Sequence, residues 1–126
     1  MSCTASRALA VRSMAIFDSS STLKSPSELF FLPAKGPTAK IASVSEQALK
    51  DVAWGEPEQF SFKGWNDETV HAWVIKPANY VEGEKYPVAF LIHGGPQGTF
   101  SNNWSWRWNP QTYAGAGYAV VMIDFH

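Results

Sequence analysis

A single cysteine, Cys3, has no partner for an internal disulfide, so burial and hydrogen bonding must hold the fold. Cys3 lies in a stretch without periodicity and reads as a free thiol, compatible with a cytosolic or a secreted home. No segment approaches the ~20 apolar residues of a membrane-spanning helix, so no membrane partner is expected. The apolar run from Ala8 to Val11, between Arg7 and Arg12, is too short for the core of a signal peptide. Charge of one sign is also missing. A net charge of -1 provides no basic face to neutralise phosphates, and nucleic acid is excluded as a partner. There is no His-Glu-x-x-His pair, and His71 has no second ligand at metal spacing, so no metal is expected. Gly115-Ala116-Gly117 ends an expected helix instead of opening one, which excludes a dinucleotide fingerprint. No cofactor is implied. Nor do the 126 residues contain Gly-x-Ser-x-Gly, the elbow that presents a hydrolase nucleophile.

What is present is an ordinary globular composition, 45% hydrophobic and 17% charged. Six tryptophans and eight phenylalanines call for a core or interface of large aromatic volume. The first third reads as short strands between turns. Met14–Asp18 is one, Ser19–Thr22 a polar turn, Ser25-Pro26 a bend and Glu28–Leu32 a second strand stopped by Pro33. Lys40-Ile41-Ala42 begins a third. Short, closely spaced strands fit a piece of a propeller blade. Residues 43–57 read as a crossing segment, with Ser45 capping a helical turn through Leu49.

The second half follows a different pattern. Glu58–Lys63 and Val70–Lys76 alternate across the turn Gly64–Asp67 and predict a hairpin, with Phe60 and Phe62 on one face. Pro87–His93 is a continuous apolar run, the pattern of a parallel strand covered on both faces. Asn109-Pro110 predicts a helix start, and Gly117 its left-handed end. Tyr118–Asp124 is a second buried strand. Strand, helix and strand make a βαβ unit, expected to cross over right-handed.

The chemistry sits in His93-Gly94-Gly95-Pro96, where a strand ends and a βα loop begins. Open α/β sheets bind ligands at this end of their strands. Acyl transfer needs backbone N–H groups aimed at a developing oxyanion, and α/β-hydrolases take one from the loop after the third strand. Two glycines allow that backbone to turn sharply and approach a substrate. Counting the hairpin as strands one and two, Pro87–His93 is the third. A tight turn with no catalytic part remains the plain alternative.

Leu91 through Gly98, together with Trp104, Arg107-Trp108-Asn109-Pro110-Gln111 and Gly117-Tyr118, resembles the opening of the catalytic domain in the prolyl oligopeptidase family of serine peptidases. Ser25-Pro26-Ser27-Glu28-Leu29 resembles that family's last propeller blade. Gly55-Glu56-Pro57-Glu58 and Val70-His71-Ala72-Trp73 resemble the lead into its hydrolase domain. The resemblance implies an α/β fold in which the end of a β-propeller (1–45) passes through a linker (46–57) into the start of an α/β-hydrolase domain (58–126). It implies a secreted serine peptidase whose substrate is a peptide, cleaved through an acyl-enzyme to release short N-terminal pieces. By matching position, Gly95 is the backbone oxyanion donor and Gly94 shapes the turn. The family's catalytic Ser, Asp and His have no counterparts here, so these residues alone are expected to be inactive and to read as a fragment. They are also expected to be poorly soluble or oligomeric. His93, Trp104 and Arg107 are candidates for the substrate cleft or the domain interface. His93 reads as a structural loop residue before a base. Trp104, Trp106 and Trp108 read as packing against the propeller before lining a cleft. Arg107 reads equally as an interface ion pair or a solvated cation. Asp124 reads as structural, and the terminal His126 as unable to serve as a base. An esterase or lipase of the same fold, and a non-catalytic binding remnant, are the alternatives.

Overall fold

The computed structural model describes residues 15–43, 45–95 and 98–124. Expectations that fall on Cys3, Met14, Pro96, Gln97, Phe125 and His126 lie outside the described residues. Two sheets form. The first is antiparallel and has three strands, β1 (Ile16–Thr22), β2 (Ser25–Leu32) and β3 (Ala39–Ala42), in the order β1-β2-β3. Two details differ from the sequence reading. Ser19–Thr22 is strand, because Ser19 and Ser20 pair with Leu29 and Glu28 and the turn falls at Leu23-Lys24. Ser25-Pro26 lies inside β2. The β1–β2 register shifts between Ser20 and Thr22, and this irregularity accommodates a proline that cannot donate to the ladder.

Helix α1 (Glu46–Leu49) follows. Ser45 stands at its N-cap without a side-chain bond, and Ser43 Oγ instead accepts from the Glu46 N–H at 3.2 Å. Ser43 also donates to Glu28 at 2.6 Å, and Lys40 bridges Glu28 and Glu46. The Ser43 hydroxyl, with Lys40 beside it, holds the Glu28 carboxyl below the usual carboxylate range.

The second sheet contains β4 (Pro57–Lys63), β5 (Thr69–Ile75), β6 (Val88–Leu91) and β7 (Ala119–Ile123), in the order β4-β5-β7-β6. β4 and β5 form the expected hairpin, in register from Pro57↔Ile75 to Lys63↔Thr69. Phe60 and Phe62 stack along β4 with ring centroids 6.2 Å apart. Asn66 and Asp67 take φ of 53° and 59° in the turn, a conformation short polar side chains tolerate. β5 pairs antiparallel with β7, and β6 pairs parallel with β7. Helix α2 (Gln111–Gly115) joins β6 to β7, completing the expected βαβ unit. Asn109 Oδ1 accepts from the Gln111 N–H at 3.0 Å, so Asn109 caps the helix one residue before Pro110, the assigned N-cap. Gly117 ends the helix with φ +90°.

β6 corrects an expectation. It has four strand residues and is an edge strand, with Val88 60% and Phe90 53% exposed. A continuous apolar run predicts cover on both faces, but here β7 pairs with one edge only. The shared ladder also starts after Pro87, whose carbonyl accepts from the Ala119 N–H at 2.9 Å. β7, by contrast, is central, and Val120 and Met122 are fully buried.

The core gathers Ile75, Ala114, Val120 and Met122 around Leu23, which arrives from the turn of the first sheet. Gln111 is buried beside it. Its amide exchanges two hydrogen bonds with the Gly55 backbone, N–H to Oε1 and Nε2 to carbonyl, both at 2.9 Å. Gly55 must lack a side chain, because a Cβ would lie 2.1 Å from the Lys76 carbonyl oxygen.

Two predictions follow from these packing facts. Gln111→Leu leaves the buried Gly55 amide and carbonyl without partners, and should destabilise the chain by about 2–4 kcal/mol. A urea titration checks this, and an unchanged midpoint would contradict it. Phe90→Lys on the open edge should move the protein toward monomer in sedimentation velocity, with stability altered by less than about 0.5 kcal/mol.

Candidate active site

β6 ends at Leu91, and the chain leaves the sheet through Ile92, His93, Gly94 and Gly95. β6 runs parallel to β7, so this exit stands at the C-terminal edge of the parallel pair, beside Asp124 at the end of β7. Gly95 has φ +72°, a conformation that glycine adopts without a Cβ penalty. A Cβ at Gly94 or Gly95 would meet no atom within 4 Å, so both glycines face open space. The Gly95 N–H has no acceptor among the described residues.

Gly94 borders a cleft of about 640 Å³ that is also lined by Phe90, Leu91, Ile92, His93, Phe100, Trp108 and Tyr113. Its walls are mostly apolar and aromatic, the usual lining of a small-molecule or peptide-side-chain site. A smaller cavity of about 200 Å³ lies across His93 and Phe100, against Leu23 and Met122. His93, Phe100 and Trp108 line both spaces. The His93 ring meets the edge of Phe100 with centroids 5.3 Å apart and planes at 68°. Both ring nitrogens are buried. The half-buried His93 thus packs its imidazole against an aromatic ring beside the turn.

The segment that covers His93 depends on Gly98. A methyl group there would stand 2.5 Å from His93 Nδ1 and 2.8 Å from the Gly94 carbonyl oxygen. Asp124 holds the next two residues. Its carboxylate accepts from the Phe100 N–H at 2.6 Å and the Thr99 hydroxyl at 2.7 Å. The Trp73 indole N–H donates to the Phe100 carbonyl at 3.2 Å. Asp124 is therefore structural, and its bonds reach the loop that overlies His93. The sequence names Gly98 only as the end of a family-like run and gives no role to it, to Thr99, to Phe100 or to Tyr113. An Asp directly after a buried strand was the available signal for the clamp, while the cleft-lining aromatics carried none.

The tryptophans divide. Trp104 is half-buried between Trp54 and Trp106, edge-on to both, with centroids 5.8 and 5.4 Å away. Its backbone N–H donates to Ser21 Oγ of β1, so this residue does pack toward the first sheet. Trp106 is 81% and Trp108 68% exposed, and Trp108 lines the cleft. Arg107 makes no ion pair among the described residues; its guanidinium sits 5.1 Å over the Trp108 ring. His71 lies on β5, and among the described residues no group of three His, Cys, Asp or Glu could hold a metal.

This geometry has counterparts in known proteins. No protein-family model matches the chain. It is 49% identical over 92 residues to a probable dipeptidyl-peptidase 5 of Aspergillus clavatus, covering 71% of this chain and 12% of that protein. A probable dipeptidyl-peptidase 5 of Emericella nidulans is 54% identical over 93 residues, with the same coverage. The chain thus spans about an eighth of the length of these curated relatives. Among solved structures, the acylaminoacyl peptidase of Pyrococcus horikoshii superposes with a TM-score of 0.73 at 28% identity, over 87% of this chain and 17% of that one. A dipeptidyl peptidase 4 from Porphyromonas gingivalis shares the fold, with a TM-score of 0.62 at 21% identity over 89% of this chain and 18% of that one. The open glycine turn at the end of a parallel strand thus stands in a chain whose curated relatives are dipeptidyl-peptidase 5 proteins and whose structural neighbours include acylaminoacyl peptidases of the prolyl oligopeptidase family.

Proposed function

We propose that residues 93–95 form the strand-side half of an oxyanion hole in a serine peptidase that removes short N-terminal pieces from peptides. One observation carries this reading. Gly95 holds φ +72° just past the C-terminal end of β6, with its N–H unengaged among the described residues, next to Gly94, which lines an apolar cleft. A donor fixed before the reaction begins stabilises charge without reorganising, and one such donor contributes about 2.7–4 kcal/mol to the transition state. The names of the relatives support the peptidase class over an esterase or a binding remnant.

In this reading the peptide carbonyl sits at the mouth of the cleft, and the Gly95 N–H takes the negative charge as the tetrahedral intermediate forms. Gly94 gives the turn its tightness. The nucleophile and its base come from outside the 126 residues, which contain no Gly-x-Ser-x-Gly. Residues 1–45 would be the end of a propeller, 46–57 the linker and 58–126 the start of the hydrolase domain. The separation into two sheets, joined across α1 and Gly55, supports that division.

A chimera tests the proposal. These residues replace the matching segment of the Aspergillus fumigatus dipeptidyl-peptidase 5, and hydrolysis of dipeptide arylamides is followed. The chimera should be active. Gly95→Val, which forces a branched side chain to positive φ and re-aims the amide, should lower kcat about 100-fold with KM changed only a few-fold. The 126-residue chain alone should take no fluorophosphonate label and hydrolyse nothing. An active chimera indifferent to Gly95→Val would overturn the assignment.

A further inference from the structure

Three features of the molecule lie outside the proposed oxyanion turn itself. The open edge of β6, with Val88 and Phe90 exposed, is apolar, but nothing on it identifies an occupant. The buried indole N–H of Trp104 belongs to a ring packed edge-on to Trp54 and Trp106, and nothing beside it identifies a ligand. The third feature, the carboxylate of Asp124, connects through a continuous set of contacts to the candidate oxyanion turn.

Those contacts run in order. Asp124 fixes the Phe100 N–H and the Thr99 hydroxyl at 2.6 and 2.7 Å. The Phe100 carbonyl is held from the other side by Trp73 on β5. With its backbone pinned at both groups, Phe100 sets its ring edge-on to His93. Gly98 lies so close to the His93 ring and the Gly94 carbonyl that no side chain fits. The strap 98–100 thus closes over His93 and abuts the residue before Gly95. Asp124 is itself anchored, since its N–H donates to the His71 carbonyl at 3.0 Å. A carboxylate accepting one backbone and one hydroxyl proton is a strong tether, because charge-assisted bonds are roughly twice as strong as neutral ones.

We propose that Asp124 is a positioning residue for the oxyanion turn: it ties the strap at Thr99 and Phe100, the strap wedges His93, and the wedged imidazole keeps Gly94 and Gly95 aimed at the cleft. This rests on the peptidase reading for its consequence but not for its geometry. Asp124 touches no substrate. Its effect on rate comes from small displacements of the Gly95 N–H, and a misplacement of about 1 Å can lower a rate about 100-fold.

The test has a physical arm and a kinetic arm. In the full 126-residue chain, deuteration at the imidazole C2 carbon of each histidine is followed by mass spectrometry. Asp124→Ala should make His93 exchange several-fold faster, because the strap lifts and water reaches the ring. Asp124→Asn keeps an acceptor for the Phe100 N–H and should restore slow exchange. The rate at His71, exposed on β5, should stay the same throughout. An unchanged His93 rate, or a rise shared by His71, overturns the proposal. Should Asp124→Ala fail to fold, Thr99→Val removes one tether and decides by the same reading. In the chimera, Asp124→Ala should lower kcat about 10-fold with KM held, and Asp124→Asn should recover most of it. Faster exchange without a fall in kcat overturns the link to the reaction. A chimera inactive even before substitution counts against the peptidase reading alone, and the exchange result then decides the positioning role.

Discussion

The burial of Leu23 is the contact on which the assembly turns. This leucine stands at the tip of the β1–β2 turn, yet it is 3% exposed within the core that also holds Ile75, Val120 and Met122. Its backbone N–H donates to Asn102 Oδ1 at 2.9 Å, and Ser21 Oγ accepts from the Trp104 N–H at 3.2 Å. Lys24 pairs with Glu56 alongside. A small sheet with few buried residues of its own is thereby coupled to the second sheet through one apolar plug and a ring of polar bonds. Burying a leucine side chain contributes about 1.5–3 kcal/mol, more than an exposed ion pair such as Lys24–Glu56 provides. Removing that side chain would leave the two sheets coupled by these polar bonds without their apolar plug.

That loop links the two halves of the molecule to the chemistry. On one side it meets the hairpin turn of the first sheet, and on the other it covers His93. The site is thus not the property of β6 alone. β6 supplies the direction of the chain and the two glycines, β7 supplies the carboxylate that ties the loop, and β5 supplies the indole that holds its carbonyl. A turn of two glycines would otherwise sample many conformations. Its fixed aim comes from neighbours that are distant in sequence and meet only because β7 lies between β5 and β6.

Much of this was legible in the residues. Period-two alternation located the β4–β5 hairpin, and the Asn-Pro start and Gly117 end located α2, because these signals act within a few residues. His93-Gly94-Gly95 marked the turn, where Gly95 takes a positive φ that favours glycine. What was hidden is what depends on the rest of the fold. Ser19–Thr22 looks like a turn by composition, but cross-strand pairing outweighs the weak preferences of serine. The edge position of β6 could not be read from its apolar run, because hydrophobicity reports what a strand would bury and not what neighbours it has. Arg107 over Trp108 and the buried Gln111–Gly55 pair are likewise tertiary facts, without periodicity to announce them.

The two exposed features, the glycine turn and the β6 edge, arise from the same cause. A parallel strand pair offers its carboxyl end as a binding edge, and a site there must stay open to admit a substrate. Among the described residues β6 meets β7 on one side and no strand on the other. Asp124 acts from the β7 side, through Phe100, on His93 of the turn. A one-sided support is stable only if it is stiff, and a charge-assisted tether backed by a buried ring provides that stiffness where a ladder hydrogen bond cannot.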